Sequence, residues 1–117
     1  MNQNTEVFNR ALAWIRNNTI DGNGICVTHT KRYVYPEVTG YYIPTLLEWG
    51  EKDLALAYAK HLLSIQKEDG AWYDSEDRLP YIFDTGQILK GLVAIRDLMP
   101  EADEHIIKAC EIGRAHV

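Results

Sequence analysis

Tyr35-Pro36-Glu37-Val38-Thr39-Gly40 and Tyr81-Ile82-Phe83-Asp84-Thr85-Gly86 decide how this 117-residue chain is built. Both stretches begin with tyrosine and close on Thr-Gly, at a spacing of 46 residues. Leu46 then matches Leu92. The next segment matches after a short insertion, with Asp53 against Asp103 and Ala59 against Ala109. Upstream, Ala11 matches Ala59, and Asp21-Gly22 matches Asp69-Gly70. A period near 50 residues with two helices per unit marks a helical array, whose units bury their apolar faces only against neighbours.

Apolar periodicity fills in the helices. Thr5 to Asn18 carries Phe8, Leu12 and Ile15 on one face, with Thr5 as the expected cap. Asp21-Gly22-Asn23-Gly24 stops it. Residues 25 to 36 are rich in Val, Thr and Tyr and read as extended chain or a short strand, ending before Pro36. A second helix is expected from Gly40 to Trp49, with Pro44 near its first turn. The third runs from Glu51 to Gln66, with Leu54, Tyr58, Leu62 and Ile65 on one face. Asp84 caps a fourth that runs to Met99, and Gln87 stands as its capping-box partner. Pro100 opens a fifth. Outer-type and inner-type helices thus alternate. The expected class is all-α: tandem helical hairpins forming part of a ring.

Composition narrows the function. The chain is 46% hydrophobic and 25% charged, which fits a folded globular protein. A net charge of −5 with interspersed signs argues against a nucleic-acid partner. No apolar run approaches the length of a transmembrane segment. The N-terminus lacks a hydrophobic signal region, which places the protein in the cytoplasm if Met1 is the true start. Cys26 and Cys110 read as isolated thiols rather than a disulfide framework. The four histidines lack metal-ligand spacing; His29 reads as a surface residue and His61 as a packed one. No nucleophile elbow or phosphate loop is present, so neither metal nor cofactor is expected. The end of the chain, Glu-Ile-Gly-Arg-Ala-His-Val from Glu111, resembles a translated sequencing adapter. The repeat register breaks at the same place, just after Ile112. Residues 112–117 are therefore expected to be a non-native tail on a natural unit spanning 5–111.

Tyr35 to Leu47, Leu62-Leu63-Ser64-Ile65-Gln66 followed by Asp69-Gly70-Ala71-Trp72, and Phe83 to Leu92 together carry a resemblance. They resemble bacterial exopolysaccharide-biosynthesis proteins of the α/α-toroid type, related to D-glucuronyl C5-epimerases and six-hairpin glycosidases. The resemblance covers about residues 8 to 111. It implies a partial toroid whose inner helices surround a cavity. Its partners would be a glycan or uronic-acid substrate and the missing C-terminal hairpins of the same chain. It also implies a carbohydrate-active parent enzyme of epimerase, lyase or hydrolase type, with this piece inactive alone.

In such a ring, the loops entering the inner helices form a rim. Glu37, Tyr41, Tyr42, Tyr81 and Asp84 are the candidate catalytic residues there. Moving a proton α to a carboxylate requires tuned groups on two faces of a sugar, and tyrosines and carboxylates supply them. Tyr35, Thr39, Trp72, Tyr73, Thr85 and Gln87 are the candidate substrate-binding residues. Helix N-termini favour an anionic sugar, and aromatic faces stack on sugar rings. Plainer readings compete: Asp84 and Thr39 as caps, Tyr41 and Tyr42 as packing, Trp72 as a plug between hairpins.

Two alternatives remain open. Gln66-x-x-x-Gly70-x-Trp72 resembles the end of a triterpene-cyclase repeat, and Asp74-Ser75-Glu76-Asp77 resembles the acidic motif of those enzymes with Glu in third place. That acidic run reads more simply as a solvated loop. The other alternative is a non-catalytic, glycan-binding helical-repeat scaffold. An isolated array end is also expected to expose apolar faces and to be only marginally stable.

Overall fold

The computed structural model describes residues 2–115, with side chains through Ile112. Asn2 starts the first helix, α1 (Gln3–Asn17), by accepting the Thr5 N–H at 2.8 Å. Asn2, rather than Thr5, is therefore the cap. Beyond α1 the all-α expectation needs one correction. The strands β1 (Thr19–Ile20) and β2 (Gly24–Ile25) pair antiparallel. Asp21 and Gly22 between them both take positive φ, at 53° and 77°. Two successive left-handed residues give a tight reversal whose twist suits a hairpin. The expected extended run 25–36 is realised only as the end of β2 and a bridge from Cys26 to Val34.

The second helix, α2 (Pro36–Glu48), begins four residues before the expected Gly40. Pro36 both ends the extended chain and occupies the first helical position. Tyr35 before it is extended at φ −100°, as a residue preceding proline should be. Thr39 is consequently inside the helix and caps nothing. Pro44 also lies in the helix interior, not in its first turn. It leaves the Gly40 carbonyl without its usual N–H partner.

Gly50, at φ +78°, turns the chain into α3 (Lys52–Ile65). A longer loop leads to α4 (Ile82–Ile95), which stops short of the expected Met99. Tyr81 is its N-cap residue and makes no side-chain capping bond. Asp84 sits in the first turn, so neither the Asp84 cap nor its box with Gln87 forms. The last helix, α5 (Ala102–Ala115), passes through Gly113 without interruption. Residues 116 and 117 of the expected tail lie outside the described residues.

Helices α2 and α4 lie side by side and run in the same direction. A Cβ on Gly40 would come within 2.6 Å of the Ile88 Cα, and one on Gly91 would overlap the Gly40 carbonyl oxygen. The crossing is thus glycine against backbone on both sides. It brings the Gly91 Cα–H against the carbonyl that Pro44 left unpaired, a geometry that suits a weak Cα–H···O contact. Helix α3 packs on both central helices and α5 packs on α4. Ile43, Leu46, Tyr58, Leu62, Trp72, Ile88, Leu92 and Ile95 are fully buried between them. Each such side chain contributes about 1.5–3 kcal/mol through burial.

The repeat register survives in three dimensions where neighbours exist. Ala59 and Ala109 are both buried. Ala11, their counterpart in α1, is exposed, and Trp14 is half exposed where Leu62 is fully buried. Of α1 only Ile15 reaches the core. An edge-on Phe8–Trp49 contact at 5.0 Å and an Arg16–Glu51 ion pair complete its attachment. Among the described residues, no helix is long and apolar enough to cross a membrane.

Candidate functional site

The two Thr-Gly steps do the same structural work. Thr39 Oγ1 accepts the Ile25 N–H at 3.1 Å, and Thr85 Oγ1 accepts the Trp72 N–H at 3.1 Å. Each threonine ties the loop that precedes its helix onto that helix. The Trp72 indole donates to the Leu62 carbonyl at 2.7 Å and is fully buried. Thr39, Thr85 and Trp72, expected to bind substrate, are therefore committed to holding the loops. Trp72 is the plug between repeats. Without these bonds the Ile25 and Trp72 amides would be buried unpaired, at a cost of about 1–3 kcal/mol each.

A second tie repeats as well. Thr19 meets the Tyr58 hydroxyl at 2.6 Å, and Gln66 meets His105 Nδ1 at 2.6 Å, both across 39 residues. In each case the segment after one helix is bonded to the next helix but one, α1 to α3 and α3 to α5. The glutamine additionally donates to the carbonyls of Gly70 and His105.

Glu37, Tyr35, Tyr41 and Asp84 gather at the common N-terminal end of α2 and α4. The Tyr35 hydroxyl lies beside the Glu37 carboxylate. Burial pushes the Tyr35 phenol above its usual range, and Glu37, Asp84 and Tyr41 push it further. Asp84 is only 9% exposed, and among the described residues no donor pairs with its carboxylate. Its oxygens nevertheless keep some contact with solvent. Burial raises the Asp84 carboxyl above the ordinary aspartate value, and the negative charges of Glu37 and Asp74 add to this. The helix N-terminus pulls the other way, but desolvation and like charge prevail. Tyr41, 44% exposed, stacks on Tyr42 with ring centroids 5.7 Å apart. Burial also raises the Tyr42 phenol.

Glu37 and Asp84 are not equivalent positions in the repeat. At the 46-residue spacing Glu37 matches Phe83, and Val38 matches Asp84. Two different residues from successive units therefore converge to make one acidic, tyrosine-flanked patch. Asp74 belongs to its electrostatic surroundings, and the sequence reading missed it. Its side chain accepts the N–H groups of Glu76 and Arg78, while Lys67 pairs with Asp77. The acidic loop is thus the solvated turn that composition suggested, yet its first residue points charge toward Asp84.

Beside this patch lies a cleft of about 410 Å³. Tyr73, Asp74, Lys67, Gln66 and His61 are on its wall. Tyr73 is the one candidate residue that lines it, with the Lys67 ammonium 5.2 Å from its ring centroid. Burial holds the His61 imidazole below its usual pKa. Tyr81, 51% exposed, and the half-buried Gln87 stand near the start of α4. Among the described residues, no group of three or more acidic, His or Cys side chains is arranged to hold a metal. No protein-family model, curated protein or solved structure matches this chain.

Proposed function

We propose that this chain is part of an α/α-toroid protein that acts on glycans containing uronic acid, with its site at the joint N-terminal end of α2 and α4. The observation that carries the reading is the meeting of Tyr35, Glu37 and Asp84, drawn from two successive repeats, at one rim. Proton transfer at a sugar needs one group that gives a proton and one that takes it. Asp84, kept protonated to higher pH by burial beside other carboxylates, is the donor. Glu37, beside the Tyr35 hydroxyl, is the acceptor. The exposed Tyr41 face offers a surface on which a sugar ring stacks. The first-turn N–H groups of the two helices suit a sugar carboxylate. Epimerisation, elimination and hydrolysis all begin from such an arrangement. In this reading, further hairpins of the same kind complete the ring and close the cavity over the substrate.

Titration of the ¹⁵N-labelled protein with glucuronate-containing oligosaccharides tests the reading. The expected result is amide shifts centred on Glu37, Tyr41 and Asp84, abolished by Glu37→Gln combined with Asp84→Asn. Shifts confined to other surfaces, or equal shifts with neutral oligosaccharides, would overturn it.

A further inference from the structure

In α2, Gly40 and Ile43 meet α4, and Pro36 and Leu47 share their face at helical spacing. Pro36, Gly40 and Ile43 are buried and Leu47 is half-buried. At the repeat spacing, the same positions of α4 are Ile82, Gly86, Leu89 and Val93. Ile82 is 58% exposed and Val93 50%. The contrast is sharpest at the glycines. The Gly40 notch is filled by Ile88, whereas a Cβ on Gly86 would meet nothing within 4 Å. One helix face is present twice in the chain; the second copy is open at Ile82, Val93 and the Gly86 notch, with Leu89 half-buried against the core.

The cover in the first instance is itself visible. It is the face of α4 bearing Ile88, Gly91 and Ile95, a large residue in the notch followed by a glycine at the crossing. A second copy of the whole chain fits the open face poorly. Its α2 would place Tyr42 and Thr45 where Ile88 and Gly91 stand, and the threonine side chain would block the close crossing. Its α1 would also fall where α5 already packs, because α1 and α5 share a register.

We infer that the Ile82-Gly86-Leu89-Val93 face of α4 is a docking surface for one more helix of the α4 type, carrying Ile-x-x-Gly-Leu-x-x-Ile. The occupant's isoleucine enters the Gly86 notch and its glycine crosses the α4 backbone, repeating the α2–α4 interface one step further along. This inference stands without the glycan reading, since it uses no residue of the carboxylate patch.

A capped synthetic peptide of residues 82–96 is the probe, titrated into the ¹⁵N-labelled 117-residue protein. The expected result is saturable shifts at Gly86, Leu89 and Val93. Gly86→Leu should weaken binding at least tenfold without lowering the melt, because the added side chain meets open space and leucine is the better helix former. Val93→Lys provides a second blocking variant on an exposed position. A peptide with Gly91→Leu should also bind at least tenfold less tightly. Absence of shifts, equal binding by the blocked variants, or shifts centred on Gly40 from exchange with the native α4 would each overturn the inference. So would a wild-type dimer that Gly86→Leu dissociates and the peptide leaves intact. Carbohydrate titration reads the Glu37–Asp84 end separately, so failure of one proposal leaves the other standing.

Discussion

Thr39-Gly40 and Thr85-Gly86 are the same dipeptide at the same place in two successive units, yet only half of the pair behaves alike. The threonines are interchangeable in role, each accepting one loop amide at 3.1 Å. The glycines are not: Gly40 lies against the Ile88 backbone and Gly86 faces open space. A threonine's task is completed within its own unit, by the loop just before it. A glycine's task depends on the next unit. Local sequence therefore fixes the first function, and neighbours fix the second.

That comparison breaks most visibly at the glycines. Gly40→Leu should cost more than about 3 kcal/mol, since the added atoms strike backbone that cannot yield. Gly86→Leu should be neutral to stabilising by up to about 1 kcal/mol, because a helix-interior glycine is replaced by a better helix former in open space. Urea melts of the two variants side by side measure the contrast. Equal destabilisation would mean that the Gly86 face is covered in solution.

Thr39→Val and Thr85→Val come next. Each leaves one buried N–H unpaired and should cost about 1–3 kcal/mol, by similar amounts. Hydrogen exchange at Ile25 and Trp72 would locate the loss. A much smaller effect at Thr85 would show that the two loop ties are not equivalent.

The smallest effect is expected at Asp84, and it depends on pH. Its folded pKa is raised, so the folded state binds the proton more tightly than the unfolded chain. The resulting stability is present at pH below the unfolded value and is lost as pH rises through the folded one. Asp84→Asn should therefore raise Tm at pH 7. The gain should shrink as pH falls through the raised folded value and be gone below the ordinary aspartate value of 3.8. A constant difference across that window would show that burial and like charge do not set the behaviour of this carboxyl.

The helices were legible because their apolar periodicity is strong, and the register of Ala59 and Ala109 carried through to equal burial. Their starts were less legible. Pro36 reads as a terminator of the extended run, but one proline can both end such a run and open a helix, and α2 therefore includes Glu37 and Thr39. Asp84 has the composition of a cap and the position of a first-turn residue. A short strand is legible in residues 25 to 36, but β1 and its pairing with β2 are not, because two-residue strands have no periodicity to read. At the site, Glu37, Tyr41 and Asp84 could each be chosen as rim residues. Their convergence could not be foreseen, since Glu37 and Asp84 occupy different repeat positions. Asp74 gave no signal beyond an acidic loop, and its influence on Asp84 exists only in the folded chain.

The recurrence of the 39-residue ties has a consequence for assembly order. Thr19 waits for Tyr58, and Gln66 waits for His105, while the central packing reaches only from Gly40 to Gly91. Such ties let each unit close soon after the helix that completes it is made, so the chain can fold from its N-terminus as it is synthesised. The exception is α1, which finds little to hold it even when the rest is complete. Folding would then proceed as a zipper that starts at α2 and α3, leaving α1 as the segment that opens first.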